Sequence, residues 1–524
     1  MEDLDKKTKI TIMIAIMSAM LFAALNQTIV GTALPRIVSD LGGIEYFNWV
    51  FTIFMLTSSV TAILVGKLSD IYGRKPFILI GIGIFIVGSL LCGTAESIVH
   101  LIIYRGIQGL GAGMIMSTAF TAVGDLFPPR ERGRWQGIMG SVFGLASVFG
   151  PTLGGWIVDN IHWKWVFWVF LPFGIVAFLL IMSLFPSVER KPSEKIDYAG
   201  SILITFIIVP LLLAFSWAGT EYDWSSPLII GLFISSIASL FLFIQVEKRA
   251  KSPVLPLRLF KNDIFSLSNI IGFMLGAGMF GAIMYMPFFI QGVIGVSATA
   301  SGLIMMPMMI SMVFSSAIIG QLITKTGKYK IFALVGLLIM SAGMVSMSTM
   351  SLDTANWSAV MNMIIVGFGL GACFPVFTLT VQNAVNQANL GVATASTQLF
   401  RQIGGTVGVA VMGSIMTVRM EEKIVEAMSK LPTGVSGEGL SSFSNPQILM
   451  NPEQLDLAKK SLSAEMLPLF DELIIILRES LAFSLTGVFL IGAIIMAIAF
   501  VLTLFLREIP LRQSNKDEIE TAAE

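Results

Sequence analysis

The sequence has 524 residues, of which 55% are hydrophobic and only 13% are charged, and its 33 basic and 33 acidic residues leave a formal net charge of zero. A soluble protein is roughly 25% charged, so this chain has too little charge to cover a water-exposed surface. The charge balance excludes a basic nucleic-acid-binding protein. Two cysteines and two histidines are too few for a disulfide framework or a metal site, and we expect no cofactor. The composition predicts an all-α integral membrane protein.

Fourteen apolar segments are long enough to cross the membrane, since about 20 helical residues span the roughly 30 Å hydrocarbon core. They lie at about 10–34, 47–66, 76–95, 99–124, 135–158, 165–185, 198–218, 227–246, 264–290, 299–323, 331–350, 357–381, 392–417 and 480–506. The first segment is too long for a signal peptide, so we expect it to be retained as a helix.

Lysine and arginine mark one side of the membrane. Most of the 33 basic residues lie in alternate loops that begin with the N-terminus, whereas the short loops of the other side hold only Arg36 and Lys164. The positive-inside rule then predicts that both termini are cytoplasmic. The longest loop, 418–479, is predicted to be extracellular. Its part 453–478 is expected to form an amphipathic helix on the outer leaflet, with a disordered tether as the alternative.

A glycine-rich basic loop follows the second span. Residues 66–76 read GKLSDIYGRKP, with Asp70 at the helix end and Gly73 and Arg74 after it. A tight cytoplasmic turn explains the glycines and the basic residues, but it does not explain an aspartate at this spacing. A degenerate copy, GQLITKTGK at 320–328, follows the tenth span. Two copies in corresponding places indicate two homologous halves.

The fourth and fifth spans carry two further motifs. Arg105 begins RGIQGLGAG at 105–113, and an arginine in the bilayer costs about 2.5–3.5 kcal/mol on insertion scales, so it should face protein or a water-filled cavity. It either fixes packing through backbone carbonyls or responds to protonation of a nearby acid. The fifth span ends with GPTLGG, in which Pro151 bends the helix, and Gly150, Gly154 and Gly155 leave room for a neighbour.

These motifs resemble those of the fourteen-helix drug:H⁺ antiporters (QacA/EmrB-type) of the major facilitator superfamily. Further matches are LNQTIV at 25–30, ALP at 33–35, WKWVF at 163–167, YDWSSP at 222–227 and RQIGGT at 401–406. The resemblance implies a six-helix bundle at 1–190, two linker helices at 191–262 and a second six-helix bundle at 263–524, which rock about a central cavity to give alternating access. In this superfamily the GPxxGG element is associated with exporters.

The resemblance also assigns a conformational role to the loop after the second span. It implies that Asp70, Arg74 and Asp125 form a cytoplasmic charge cluster that holds one conformation. Asp70 would face the N-terminus of the thirteenth span, where the helix dipole favours an anion. The alternative is that Asp70 only anchors its own loop.

One acid that the family usually carries is missing from the first span, where this chain has Asn26. A buried carboxylate is the obvious group for coupling a proton to substrate movement, and an asparagine cannot titrate. Proton coupling could use acids nearer a span end, and Glu221 and Asp223 are the candidates. Arg105 is a further candidate for a role in coupling. Alternatively, the chain could be a variant in which Asn26 mimics the protonated acid and locks one state. The third possibility is that Asn26 only makes an interhelical hydrogen bond.

The expected substrates are lipophilic drugs, often cationic, because flexible thioethers and aromatic rings suit varied apolar ligands. The lack of interior acids argues against dications. The residues predicted to line the cavity are Asn26, Gln27, Met279, Phe280, Met284, Tyr285, Met305, Met306 and Arg401. The expected partners are these drugs, protons and the lipid bilayer, with no nucleic acid, and the chain is expected to be a monomer in a bacterial plasma membrane.

Three other functions compete with a multidrug exporter. An exporter of one lipid, siderophore or antibiotic would share every motif. An ion channel lacks support because no filter-like repeat or charged ring appears. A membrane enzyme is disfavoured because the sequence has no nucleotide-binding loop and no metal-spaced cluster. Without a nucleotide site, the energy for transport must come from an ion gradient.

Overall fold

The computed structural model describes residues 4–42, 46–186, 196–219, 221–296, 298–428, 449, 459 and 467–511. Long helices make up almost all of this part of the chain. They are α1 (Lys6–Leu41), α2 (Phe47–Tyr72), α3 (Arg74–Gly93), α4 (Ile98–Leu126), α5 (Pro129–Asn160), α6 (Leu171–Leu184, after a short helix Trp165–Trp168), α7 (Tyr198–Trp217), α8 (Pro227–Glu247), α9 (Asp263–Phe288), α10 (Ala298–Thr326), α11 (Lys330–Met347), α12 (Asn356–Ala384), α13 (Leu390–Met428) and α14 (Leu467–Phe505).

Helix ends follow from local sequence signals. The side chains of Asp5, Ser97 and Asn262 accept hydrogen bonds from backbone N–H groups of the first turns of α1, α4 and α9, which otherwise lack partners. Gly73 joins α2 directly to α3 because its φ of 88° requires a residue without a side chain. The polar caps therefore sit at the ends of apolar helices, where the predicted membrane surface lies.

The fourteen predicted spans are confirmed: within the described residues, fourteen helices are long and apolar enough to cross a membrane. The prediction of a loop over 418–479 is wrong at both edges, because α13 continues to Met428 and α14 already begins at Leu467. The charged segments 418–428 and 467–479 are therefore helical, although they lie outside the predicted apolar spans. Residues 467–478 of the predicted amphipathic helix belong to α14, and 429–448, 450–458 and 460–466 lie outside the described residues.

The helices pack in groups that position the site. Helices α1 to α6 surround two clusters of buried apolar residues, and α9 to α14 surround a third. Helices α7 and α8 pack on each other, and a fourth cluster joins them to α2 and α13. The two larger groups meet where α5 runs along α10 and α2 crosses α13. The domain boundaries at 190 and 262 remain predictions.

Candidate transport site

A buried polar network joins α1, α3 and α4 around Gln108. The Gln108 amide donates to Asn26 Oδ1 at 3.0 Å and to Ser89 Oγ at 2.7 Å. On its other side, Gln108 Oε1 accepts from Arg105 Nη1 at 2.6 Å. All four side chains are completely buried. Asn26 and Arg105, both predicted to take part in coupling, are therefore connected through a glutamine, and Asn26, also predicted to line the cavity, cannot contact a substrate in this conformation.

The Arg105 guanidinium has no carboxylate among its described contacts. Its Nε donates to the carbonyl of Val50 at 3.4 Å, and its Cζ lies 4.1 Å from the centroid of the Phe54 ring. An aromatic face offsets part of the cost of a desolvated cation. Within the described part of the chain, Arg105 Nη2 and Asn26 Nδ2 are buried without a hydrogen-bond partner. The network therefore has unused donors where an acid could be accommodated.

The structure does not bring the two acids predicted for coupling to this network. Glu221 and Asp223 are exposed in the turn between α7 and α8. Their role in coupling remains a prediction.

A second polar site lies about halfway along the helices. The amides of Gln27 on α1 and Gln402 on α13 lie 3.3 Å and 3.9 Å from the sulfur of Met55 on α2, so both halves contact one thioether. Arg401 precedes Gln402 in α13, and the Cζ of its guanidinium lies 4.3 Å from the centroid of the Phe374 ring. These five residues form the mid-depth site, roughly three helical turns from the start of α13.

The other predicted cavity residues lie elsewhere in the α9 to α14 group. Met279 and Met305 pack against its apolar cluster, and the buried Tyr285 donates its hydroxyl proton to the carbonyl of Val409 at 2.6 Å. Phe280 packs on Gly405. Tyr285 is therefore engaged in packing α9 on α13 and is not available to a ligand here.

Two predicted cavity methionines differ in exposure. Met284 of α9 is exposed, whereas Met306 of α10 is half-buried. No described contact connects either residue with the mid-depth site, so their contact with a ligand remains a prediction.

The predicted charge cluster is assembled at the end that holds the loop 66–76. Arg74 forms an ion pair with Asp70, donates to Asp125 Oδ2 at 2.8 Å and donates to Ser69 Oγ at 2.6 Å. As predicted, Asp70 faces the N-terminus of the thirteenth span: its two oxygens accept from the backbone N–H groups of Gly391 and Val392 at 3.0 Å and 3.1 Å. The cluster thereby connects α2, α3 and α4 with α13.

The degenerate second copy of this loop contacts the other half. Thr324 Oγ1 accepts from the backbone N–H of Arg134 on α5 at 3.1 Å. The Arg130 guanidinium donates to the carbonyls of Thr324 and Lys325, each at 3.3 Å, at the C-terminus of α10. Both loops therefore connect the two halves at the same predicted cytoplasmic end.

The GPxxGG motif packs α5 on α1. A Cβ on Gly150 would collide with Thr28, and one on Gly154 would lie 2.9 Å from the carbonyl of Ile29. By contrast, nothing lies within 4 Å of a Cβ on Gly155, and Pro151 is exposed within the helix. Of the four residues named in this motif, only Gly150 and Gly154 are required here for the close approach of α5 to α1.

Several contacts of the site were not anticipated from the sequence. Gln108, Met55, Phe374 and Gln402 were not predicted as site residues, although the sequence offers a signal for Gln108 and Gln402. Gln108 lies three residues after Arg105 and hence on the same helix face, and Gln402 directly follows Arg401. Met55 and Phe374 offer no such signal because apolar residues fill both spans.

Comparison with known proteins identifies the family. The sequence profile described as Major Facilitator Superfamily matches residues 16–409. The chain is 42% identical to the "Multidrug transporter protein MdtP" of Bacillus subtilis, covering 98% of this chain and 95% of the relative. It is 35% identical to the "Multidrug resistance protein 3" of the same organism, covering 98% and 96%.

Solved structures agree on the fold. A proton:xylose symporter, XylE, superimposes with a TM-score of 0.63 at 12% identity, covering 99% of this chain and 100% of the symporter. The human organic anion transporter MFSD10 superimposes with a TM-score of 0.60 at 14% identity, covering 93% and 99%. The family, the Bacillus relatives and the fourteen helices of the described residues agree with the predicted multi-pass protein of a bacterial plasma membrane. The chain therefore belongs to the major facilitator superfamily, and it is a membrane transporter of the multidrug type rather than an enzyme.

Proposed function

We propose that this drug efflux transporter exports lipophilic drugs from the cytoplasm in exchange for protons, by alternating access of the mid-depth site. The observation that carries the proposal is that side chains from both halves meet at Met55, while both loop copies join the halves at the predicted cytoplasmic end. A site shared by two halves and closed at one end is the geometry that rocking of the halves requires. The names of the Bacillus relatives support a range of drugs as substrates.

The charge of the mid-depth site bears on the substrate. Its described contacts include the Arg401 guanidinium and no carboxylate, and Met55 and Phe374 supply apolar surface. A cation entering this site would meet like charge at low dielectric, whereas an anion could pair with Arg401. We therefore expect neutral and anionic lipophiles to be preferred over the cations that the family resemblance suggested.

The hydrogen-bonding pattern of Asn26 in the Gln108 network supports a role of this position in coupling. Its oxygen accepts from Gln108, and its buried Nδ2 is a donor, which is the pattern of a protonated carboxylic acid. An aspartate in this place could lose its proton and pair with the unused donor of Arg105. This observation favours the interpretation in which Asn26 mimics the protonated acid and holds one state.

The test is transport by reconstituted vesicles with imposed H⁺ or Na⁺ gradients, applied separately. Transport is measured for a panel of dyes that contains neutral, anionic and cationic lipophiles of similar size. We expect Asn26→Asp to gain H⁺-driven transport over the unaltered chain and to gain none from Na⁺. Arg401→Gln should raise transport of cations relative to anions.

Gln27→Glu is the matched control, because it places an acid one residue away, at Met55 instead of at Gln108. Equal H⁺-driven transport in the unaltered chain and in Asn26→Asp would remove position 26 from the coupling mechanism. Transport of a single dye only would replace the multidrug proposal with an exporter of narrow specificity.

A further inference from the structure

Two carboxyl groups outside the transport site face each other where the linker helices α7 and α8 reach the predicted cytoplasmic side. Asp197 caps α7, and its Oδ1 accepts from the Gly200 N–H at 2.8 Å. Glu247 ends α8, is 4% exposed, and its Oε1 accepts from the N–H groups of Val254 and Leu255 at 3.0 Å and 3.1 Å. A Cβ on Gly200 would lie 2.5 Å from Asp197 Oδ2 and 3.1 Å from Glu247 Oε1, so one small gap separates the two carboxyl groups.

In the described part of the chain, the second oxygen of each carboxyl group accepts no hydrogen bond. Asp197 Oδ2 and Glu247 Oε2 are both buried without a hydrogen-bond partner among the described residues. Two ionised carboxylates at such a separation repel each other, and a buried acceptor without a donor is costly to desolvate. A single added proton removes the repulsion, because the pair then has one charge and the protonated carboxyl group can donate a hydrogen bond to the other.

Among the described residues, few charged groups lie around the pair. Lys67 of α2 lies close enough to interact electrostatically with Glu247, as does Asp197. The basic residues that follow Glu247, which are Lys248, Arg249 and Lys251, are exposed. The first charged residue of α13 is Arg401, and Asp70 of α2 is held by Arg74 and α13.

A small cavity of about 10 Å³, room for roughly one water molecule, lies beside Asp197 and Val254. Its lining comes from three segments of the chain and includes Lys67, Leu68 and Ile71 of α2, Asp197 and Ser201 of α7, and Ser252. The α2 residues lie in the same turns as Asp70, so the linker helices dock on the helix end that carries the charge cluster.

We propose that Asp197 and Glu247 share one proton and form a proton-binding site between the linker helices and α2. With the proton bound, the pair is hydrogen-bonded and the linker docks on α2. After its loss, the two carboxylates repel, and the linker loosens from the end of α2 that holds Asp70 against α13. The proton binding itself stands without the proposed transport function, whereas the effect on transport rests on it.

The test is infrared difference spectroscopy of the purified full-length protein in lipid vesicles, titrated from mildly acidic to alkaline pH. We expect the C=O stretching band of a buried protonated carboxylic acid, lost at alkaline pH in the unaltered chain. Glu247→Gln and Asp197→Asn should each abolish that band, since each leaves one neutral amide and one carboxylate. Asp263→Asn, an exposed acid at the start of α9, is the matched control and should retain it.

Because the spectra do not depend on transport, a failure of the proton-exchange proposal leaves this test intact. A band that persists in both variants, or is absent from the unaltered chain, overturns the proposal. So does a band that disappears on addition of Na⁺ at constant pH, since the pair would then be a cation site. In the transport assay, we expect transport by the unaltered chain to change several-fold with cytoplasmic pH, and we expect Glu247→Gln to reduce this change.

Discussion

The loop after α2 and the loop after α10 occupy equivalent places in the two halves, and they hold the facing helix by different chemistry. Each turns on a glycine with positive φ, 88° at Gly73 and 72° at Gly327. In the first loop, the Asp70 carboxylate accepts two N–H groups at the start of α13. In the second, the hydroxyl of Thr324 accepts one N–H group near the start of α5.

The difference indicates how the two contacts should behave when the halves move. The side chains of Asp70 and Arg74 are 3% and 5% exposed, and a buried charge that loses its partners is costly, so this contact is made completely or not at all. The Thr324 hydroxyl makes a neutral contact, and the contacts of the Arg130 guanidinium there are with backbone carbonyls. Helix α5 continues along α10 through small residues such as Gly137 and Ser316. We expect the first interface to open as a latch and the second to persist as a pivot.

The largest effect is expected from Asp70→Asn. The substitution removes the charge that pairs with Arg74 and faces the α13 dipole, which should weaken the closed cytoplasmic end by about 3 kcal/mol, or roughly a hundredfold in population. Spin labels at the exposed residues Lys7 and Gln387 would report the separation of the two halves in lipid nanodiscs. The distance distribution should gain a long component that Asp263→Asn does not produce. An unchanged distribution would remove the latch role.

The next largest difference should separate two glycines at equivalent places. A Cβ at Gly391 would collide with the Gly66 carbonyl oxygen and would lie 2.7 Å from both Asp70 Oδ1 and Arg74 Nη1, whereas one at Gly133 would meet the Ile323 side chain at 2.9 Å. Gly391→Ala should therefore cost about 1–3 kcal/mol, because it displaces the buried ion pair. Gly133→Ala should cost less, because its nearest contacts are Ile323 Cγ2 at 2.9 Å and Cβ at 3.1 Å, a milder overlap than the one with the Gly66 carbonyl. Thermal unfolding of both variants in detergent would measure the difference, and equal losses would mean that the two interfaces are packed alike.

The family resemblance predicts most of this latch, because the motif that carries the resemblance is local. Asp70, Gly73 and Arg74 lie in one motif, and the apolar runs predict which helix ends meet the same membrane face. The hydrogen bond between Thr324 and α5 could not be predicted, because the degenerate motif around this threonine has no spacing that marks it. The Gln108 network and the use of Met55 by both halves depend on tertiary contacts between apolar-looking spans, which no local pattern encodes.

A smaller effect is expected at the pivot from Thr324→Val, which keeps the shape of the side chain and removes its oxygen. The N–H of Arg134 loses its acceptor, and one hydrogen bond contributes about 0.5–1.5 kcal/mol net. The Arg130 bonds to the carbonyls of Thr324 and Lys325 remain. The spin-label distances should stay unchanged while thermal stability falls slightly. A long component as large as that of Asp70→Asn would show that the second loop is also a latch.

The smallest effect, and the sharpest test of the asymmetry, is a gain from Thr324→Asp. The substitution places a carboxylate where the second loop meets the start of α5, as Asp70 does at α13. An anion at a helix N-terminus contributes about 0.3–1 kcal/mol, and Arg130 lies beside it. The predicted cytoplasmic end should then stay closed in a larger fraction of molecules, and export should slow, because both interfaces would have to release a charge. If the variant transports at the unaltered rate with unchanged spin-label distances, charge at this position does not distinguish latch from pivot, and the small-residue packing of α5 on α10 must account for the difference by itself.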